Sequence, residues 1–208
     1  FGLSLRARTI VYHTRRVSPD ELKTYRSLGD PRWEDRLLLR TSRKVYNQSL
    51  VASMIAAYGQ EKTEAIVRSW VDNLAVDPLS SDTKVLKGIL AGLGDVGIVN
   101  TYYFGRLQRE NPDIPLAVFW PNQDGNGGHV NISGGGVVAG SDNREGAVQF
   151  LEWLSSKKAQ SMFAGLNMEY PANPDVPPVE QVRDWGSFKA NPMDVFLYGK
   201  YQAKAVRL

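Results

Sequence analysis

Short runs of β-branched and aromatic residues alternate with segments of helical period along almost the whole chain, and this alternation constrains the fold most. Residues 7–13 (Ala-Arg-Thr-Ile-Val-Tyr-His), 36–41 around Leu37-Leu38-Leu39, 95–100, 116–120 and 137–139 predict strands. Between them, Ser18-Pro19-Asp20-Glu21 is a capping box, and Leu22, Tyr25 and Leu28 form the apolar stripe of a helix that Gly29 ends. Asn47 predicts the cap of a second helix carrying Leu50, Val51, Met54, Ile55 and Tyr58. A third carries Ala65, Ile66, Trp70, Val71 and Leu74, and Asp82 caps a fourth with Val85, Leu86, Ile89 and Leu90. Helices at 143–155, at 157–166 and at the end of the chain complete the pattern, after a proline-rich boundary at 171–178. The expectation is an α/β fold with a mostly parallel sheet.

Composition removes several function classes. The 208 residues contain no cysteine, which excludes disulfides, thiolate metal sites and cysteine catalysis. Two histidines, His13 and His129, exclude a three-histidine zinc site and are expected on the surface or in loops. No apolar stretch approaches the ~18–20 residues of a membrane span. A net charge of +3 argues against a nucleic-acid module built on basic residues and stacking tyrosines. The glycine-rich stretch 125–136 lacks both the Gly-Lys-Ser/Thr of a phosphate loop and the spacing of a dinucleotide turn, and reads as a crossover. No nucleophile–base pair suggests a hydrolase. The chain reads as a binder and not as an enzyme.

One motif does carry chemistry. The run Gly94-Asp95-Val96-Gly97-Ile98-Val99-Asn100 predicts a buried strand, Thr101 a helix cap, and Tyr102 and Tyr103 follow at once. Open α/β folds place ligands at such strand-to-helix junctions. Tyr46 stands at a second junction of the same kind, in Val45-Tyr46-Asn47-Gln48-Ser49. Phenol oxygens are hard donors, and a free phenol has a pKa of about 10, so only a strong Lewis acid such as ferric ion strips its proton near neutrality. Arg6 and Arg8 alternate on one strand and share a face, where a guanidinium could hold a carboxylate or carbonate through two parallel hydrogen bonds.

Together these residues resemble a known family, the periplasmic ferric-ion-binding proteins of bacterial iron ABC transporters, the cyanobacterial members in particular. The likeness rests on Arg6-Ala7-Arg8-Thr9-Ile10-Val11-Tyr12, Val45-Tyr46-Asn47-Gln48-Ser49-Leu50, the run from Gly94 through Tyr103, and Glu169-Tyr170-Pro171-Ala172-Asn173-Pro174. It implies a type II periplasmic-binding-protein fold, with the C-terminal lobe essentially complete and part of the N-terminal lobe present. Residues 1–8 would be an inter-lobe hinge strand, 9–133 the C-terminal lobe with the tyrosine site, 134–183 a segment of the N-terminal lobe, and 184–208 C-terminal lobe helices. Tyr46, Tyr102 and Tyr103 would be phenolate ligands to Fe(III). Arg6 or Arg8, with Arg6 favoured, would hold carbonate or another small anion. The partner would be an ABC permease and the compartment periplasmic or extracytoplasmic. Roughly 100 residues of a first lobe are missing from the pattern, so exposed apolar surface, association with a second copy or a separate N-terminal piece are expected. The alternative is a protein of the same fold that binds a small organic or inorganic anion.

Overall fold

The computed structural model describes the backbone of residues 1–208 and every side chain except that of Ala164. It divides into two compact units. The smaller contains Phe1–Arg6 and Val130–Ser187, the larger Ala7–His129 and Phe188–Leu208.

The larger unit is built on a mixed sheet. Strand β1 (Gly2–His13) runs antiparallel to β3 (Val96–Asn100), with Ile10 opposite Ile98. It also runs antiparallel to β4 (Leu116–Phe119), with Ile10 opposite Phe119. Only β2 (Leu37–Leu38) lies parallel to its neighbour β3, giving the order β2-β3-β1-β4. This corrects the expected mostly parallel sheet. Parallel neighbours require a crossover connection, usually a helix. Only β2 and β3 meet it here, through a long helical connection, while β1 runs against both of its neighbours.

Helices α1 (Val45–Tyr58), α2 (Gln60–Asp72), α3 (Asp82–Leu90), α4 (Thr101–Glu110) and α8 (Phe196–Ala205) complete this unit. Ile10, Trp33, Leu37, Leu50, Trp70 and Ile98 belong to one continuous core. Val51, Ala52 and Ile55 of α1 form a second cluster with Tyr198 and Ala205 of α8. Gly59 separates α1 from α2 at φ 84°, a left-handed conformation that glycine adopts without steric cost.

The expected helix over 19–29 does not form. Three single 3-10 turns replace it, at Pro19–Glu21, Arg26–Gly29 and Pro31–Trp33. The capping box exists, with the Ser18 amide donating to Glu21 Oε1 at 2.8 Å, but it closes only one turn. Leu22, Tyr25 and Leu28 are buried as the pattern requires. The carbonyls of Tyr25 and Leu28 serve other elements: Trp70 Nε1 donates to Tyr25 O and Asn73 Nδ2 to Leu28 O, both at 2.8 Å. Tertiary partners have displaced the helical ladder. The caps also shift: Ser81 precedes α3, leaving Asp82 as its first residue, and Asn100 precedes α4.

In the smaller unit, β6 (Tyr170–Pro171) pairs with the start of β1, Leu5 lying opposite Tyr170. Strand β5 (Val130–Gly134) also pairs with β1. It forms inside the stretch read as a crossover, whereas Val137–Ala139 is not a strand and Val138 is exposed. Helices α5 (Arg144–Leu154), α6 (Lys157–Asn167) and the short α7 (Glu180–Arg183) follow. Gln160, fully buried, joins this unit: its Nε2 donates to Leu3 O and Leu154 O, while its Oε1 accepts from Ala172 N.

Candidate metal centre

Two helix starts build the centre. Strand β3 passes directly into α4: Asn100 is the extended residue at φ −76°, ψ 138°, and Thr101 is already helical. Tyr102 and Tyr103 therefore lie in the first turn, with ring centroids 4.4 Å apart and planes inclined by 32°. Helix α1 begins at Val45, one residue after an extended Lys44, so Tyr46 occupies the second helical position, as Tyr102 does in α4. The sequence predicts the cap of this helix at Asn47, one residue after Tyr46. The earlier helix start gives Tyr46 the same local setting as Tyr102.

The three phenols meet. Burial is the main cause that pushes the Tyr102 hydroxyl well above the ordinary phenol range, and hydrogen bonds with the Tyr103 and Tyr46 hydroxyls push it further, against a lowering contact from Asn100. Tyr102 is buried, while Tyr46 and Tyr103 are half-buried. Cations cover two rings: Arg40 Cζ lies 4.8 Å from the Tyr46 centroid, and Arg106 Cζ 5.1 Å from that of Tyr102. Among the described residues, no group of three or more His, Cys, Asp or Glu could hold a metal ion. A metal here would meet phenol oxygen, which suits a hard and strongly acidic cation.

The two arginines expected to share an anion differ. Arg8 is 2% exposed, and its guanidinium is engaged inward. Its Nη1 bonds Asp82 Oδ2 at 2.8 Å, and its Nη2 bonds Asn47 Oδ1 at 2.5 Å and Ile98 O at 3.1 Å. The two Nη groups of Arg8 are thus taken up by a buried carboxylate, an amide and a carbonyl, while its buried Nε has no hydrogen-bond partner. Arg6, in the smaller unit, is half-exposed and donates to the Ser133 hydroxyl.

The pattern missed what lies behind the tyrosines. Asp82, read as a helix cap, is fully buried and receives Arg8, Arg40 Nη1 at 3.3 Å and the Asn100 amide at 2.8 Å. Asn47, also read as a cap, donates from Nδ2 to Arg40 O at 2.6 Å. Asn47 and Asn100 lie within two residues of Tyr46 and Tyr102 in the sequence, and this spacing is the available signal; Arg8, Arg40 and Asp82 have none. Both histidines are buried; His129 lies in a loop as expected, whereas His13 ends strand β1. His129 Nε2 lies 3.0 Å from Ser49 Oγ. Burial, then Arg16 and Arg15, hold the His13 imidazole below its usual range.

Comparison with known proteins follows the same line. Residues 3–190 match the family model for bacterial extracellular solute-binding proteins. Iron uptake protein A1 of Synechocystis is 42% identical over 214 aligned residues, covering all of this chain and 59% of the relative. The major ferric iron-binding protein of Neisseria meningitidis is 27% identical over 84% of this chain and 53% of its own length. A solved structure of Trichodesmium FutA (IdiA) in complex with iron and citrate superposes with a TM-score of 0.96 at 43% identity, over all of this chain and 67% of that one. The chain thus spans little more than half the length of the curated relatives it matches, and its fold is the type II periplasmic-binding-protein fold of its structural neighbours. On the family match and these likenesses, the chain belongs to the bacterial extracellular solute-binding proteins.

Proposed function

We propose that this chain carries the metal-holding part of a ferric-ion-binding protein, with Fe(III) as cargo and Tyr46, Tyr102 and Tyr103 as phenolate ligands. The observation that carries the reading is the convergence of three hydroxyls from two helix starts on Tyr102. Ferric ion replaces the phenol protons and gains three anionic hard oxygens, so binding releases protons and weakens as pH falls. Relatives and neighbours named for iron uptake and ferric binding support the choice of cargo. The role is transport, not catalysis: the cargo is handed to an ABC permease in the periplasm or another extracytoplasmic space, as suits an extracellular solute-binding family.

Three phenolates balance the charge of Fe(III) but leave coordination positions open. Carbonate or another small anion would fill them, and Arg6 is the candidate to hold it. On this reading, residues 1–8 are the hinge strand, 9–133 and 184–208 form the lobe bearing the tyrosines, and 134–183 belong to the other lobe.

The test is colour. Ferric ion supplied with a weak chelator should produce a visible phenolate-to-iron charge-transfer band, which falls in Tyr46→Phe, Tyr102→Phe and Tyr103→Phe. A chain that stays colourless under all ferric conditions, and prefers a small anion in calorimetry with metal removed, overturns the reading.

A further inference from the structure

The two tyrosine-bearing helix starts come from segments more than fifty positions apart, and one buried carboxylate ties both. Asp82 Oδ2 accepts the Asn100 amide, two residues before Tyr102, and Arg8 Nη1, both at 2.8 Å. Asp82 Oδ1 accepts Arg40 Nη1 at 3.3 Å, and that guanidinium lies on the Tyr46 ring. Arg8 closes the circuit by bonding Asn47, beside Tyr46, and reaching Asn100 Oδ1 at 3.4 Å. Asn47 bonds the Arg40 carbonyl. Asp82 is fully buried, while Arg8 and Arg40 are 2% and 8% exposed.

We propose that Asp82 is the positioning residue of the tyrosine site: it holds Asn100, and with it the Tyr102–Tyr103 turn, in fixed relation to the Arg40 guanidinium that covers Tyr46. The proposal rests on the ferric reading. Two guanidiniums and one carboxylate leave this network one net positive charge. A buried ion cluster is costly unless each member is paired, so helical capping alone is a weak reason for it, since Ser81 already caps α3. Its geometric effect is to aim two donor segments at one point. Its electrostatic effect is to set a cation against the ring of a ligand that becomes anionic when metal binds.

The experiment compares Asp82→Asn, Arg40→Met and Arg40→Lys with the unaltered chain, each titrated with ferric ion supplied as its citrate complex and followed in the visible region. Folding is checked by far-ultraviolet circular dichroism. Loss of an outer partner of a metal ligand typically lowers affinity about 10–100-fold, and that loss is expected for Asp82→Asn. Removing the cation from Tyr46 makes its phenolate easier to oxidise, so Arg40→Met should move the charge-transfer band to longer wavelength, a change that loss of stability alone would not cause. Arg40→Lys restores the cation and should bring the band back toward its original position. If Asp82→Asn does not fold, the two Arg40 variants decide. Folded Asp82→Asn and Arg40→Met with unchanged affinity and band overturn the assignment while the ferric reading stands. An unaltered chain without a band overturns both.

Discussion

The two units use buried polar chemistry in different ways, and their tyrosines show it. In the larger unit, burial raises the Tyr102 hydroxyl, and the Tyr103 and Tyr46 hydroxyls raise it further. In the smaller unit, Tyr170 is also pushed above the ordinary phenol range, but by burial alone. One phenol has two other phenols as neighbours; the other is raised by packing. The helices differ in the same direction. Helix α1 buries every residue from Ser49 to Ile55, whereas α5 buries only Leu151 and leaves Phe150 and Trp153 exposed. Met162 and Leu166 of α6 are exposed as well. The larger unit packs its sheet and helices around one continuous core. In the smaller unit most of the exposed apolar side chains gather on α5 and α6, whereas in the larger unit they are spread over several elements, Val71 of α2 and Phe196 of α8 among them.

The sharpest way to break this comparison is to remove one hydroxyl from each unit. Tyr102→Phe should lower ferric affinity at least about 100-fold, at ~1.4 kcal/mol per factor of ten, and abolish most of the visible band. Tyr170→Phe should leave both unchanged. Equal losses would mean that the tyrosines of the larger unit are not special.

Next come the cores. Trp33 is fully buried in the larger unit, and Trp33→Ala should cost about 3–5 kcal/mol in urea unfolding. Trp153, 47% exposed, should cost within about 0.5 kcal/mol on the same change. Similar costs would show that the smaller unit is as well packed as the larger. The exposed face gives a third test. Light scattering should show concentration-dependent association of the unaltered chain, reduced by Phe150→Glu with Leu166→Glu. Unchanged scattering would remove this face as the cause.

The smallest expected effect concerns Asp95, at the entry to β3. Burial raises its carboxyl, but hydrogen bonds from Arg36 and Arg16, with their charges, outweigh it and hold the group below the usual carboxylate range. A depressed folded-state value contributes stability above the unfolded value, and this is lost as pH falls through the folded one. The larger unit should therefore weaken below about pH 4, and Asp95→Asn should remove about 1 kcal/mol at neutral pH and flatten that acid limb. A variant with the same acid profile would show that Asp95 is not the group responsible.

The tyrosines of the candidate site are legible in the sequence. Tyr46, Tyr102 and Tyr103 could be selected because each follows a strand-like run and precedes a helical period, and helix starts are where such side chains converge. The helices around Leu50, Ile66 and Leu86 form close to their expected places. The failures share a cause. The 19–29 segment has a capping box and an apolar stripe, yet Trp70 and Asn73 claim its carbonyls, and no local signal announces a partner over forty residues away. The strand at 130–134 was hidden by glycines, and its pairing with β1 is equally non-local.

By itself the sequence determined the α/β class, the absence of thiol chemistry, and the phenols available for a hard cation, because residue type and short-range period depend on neighbours within a turn or two. Tertiary structure alone decided the antiparallel run of β1, the inward turn of Arg8, and the union of Arg8, Asp82, Arg40, Asn47 and Asn100 into one buried network. A charged side chain reads as surface until its partner is known, and these partners are separated by as many as 92 positions. Only the folded chain brings a carboxylate close enough to two guanidiniums to offset the cost of burying all three.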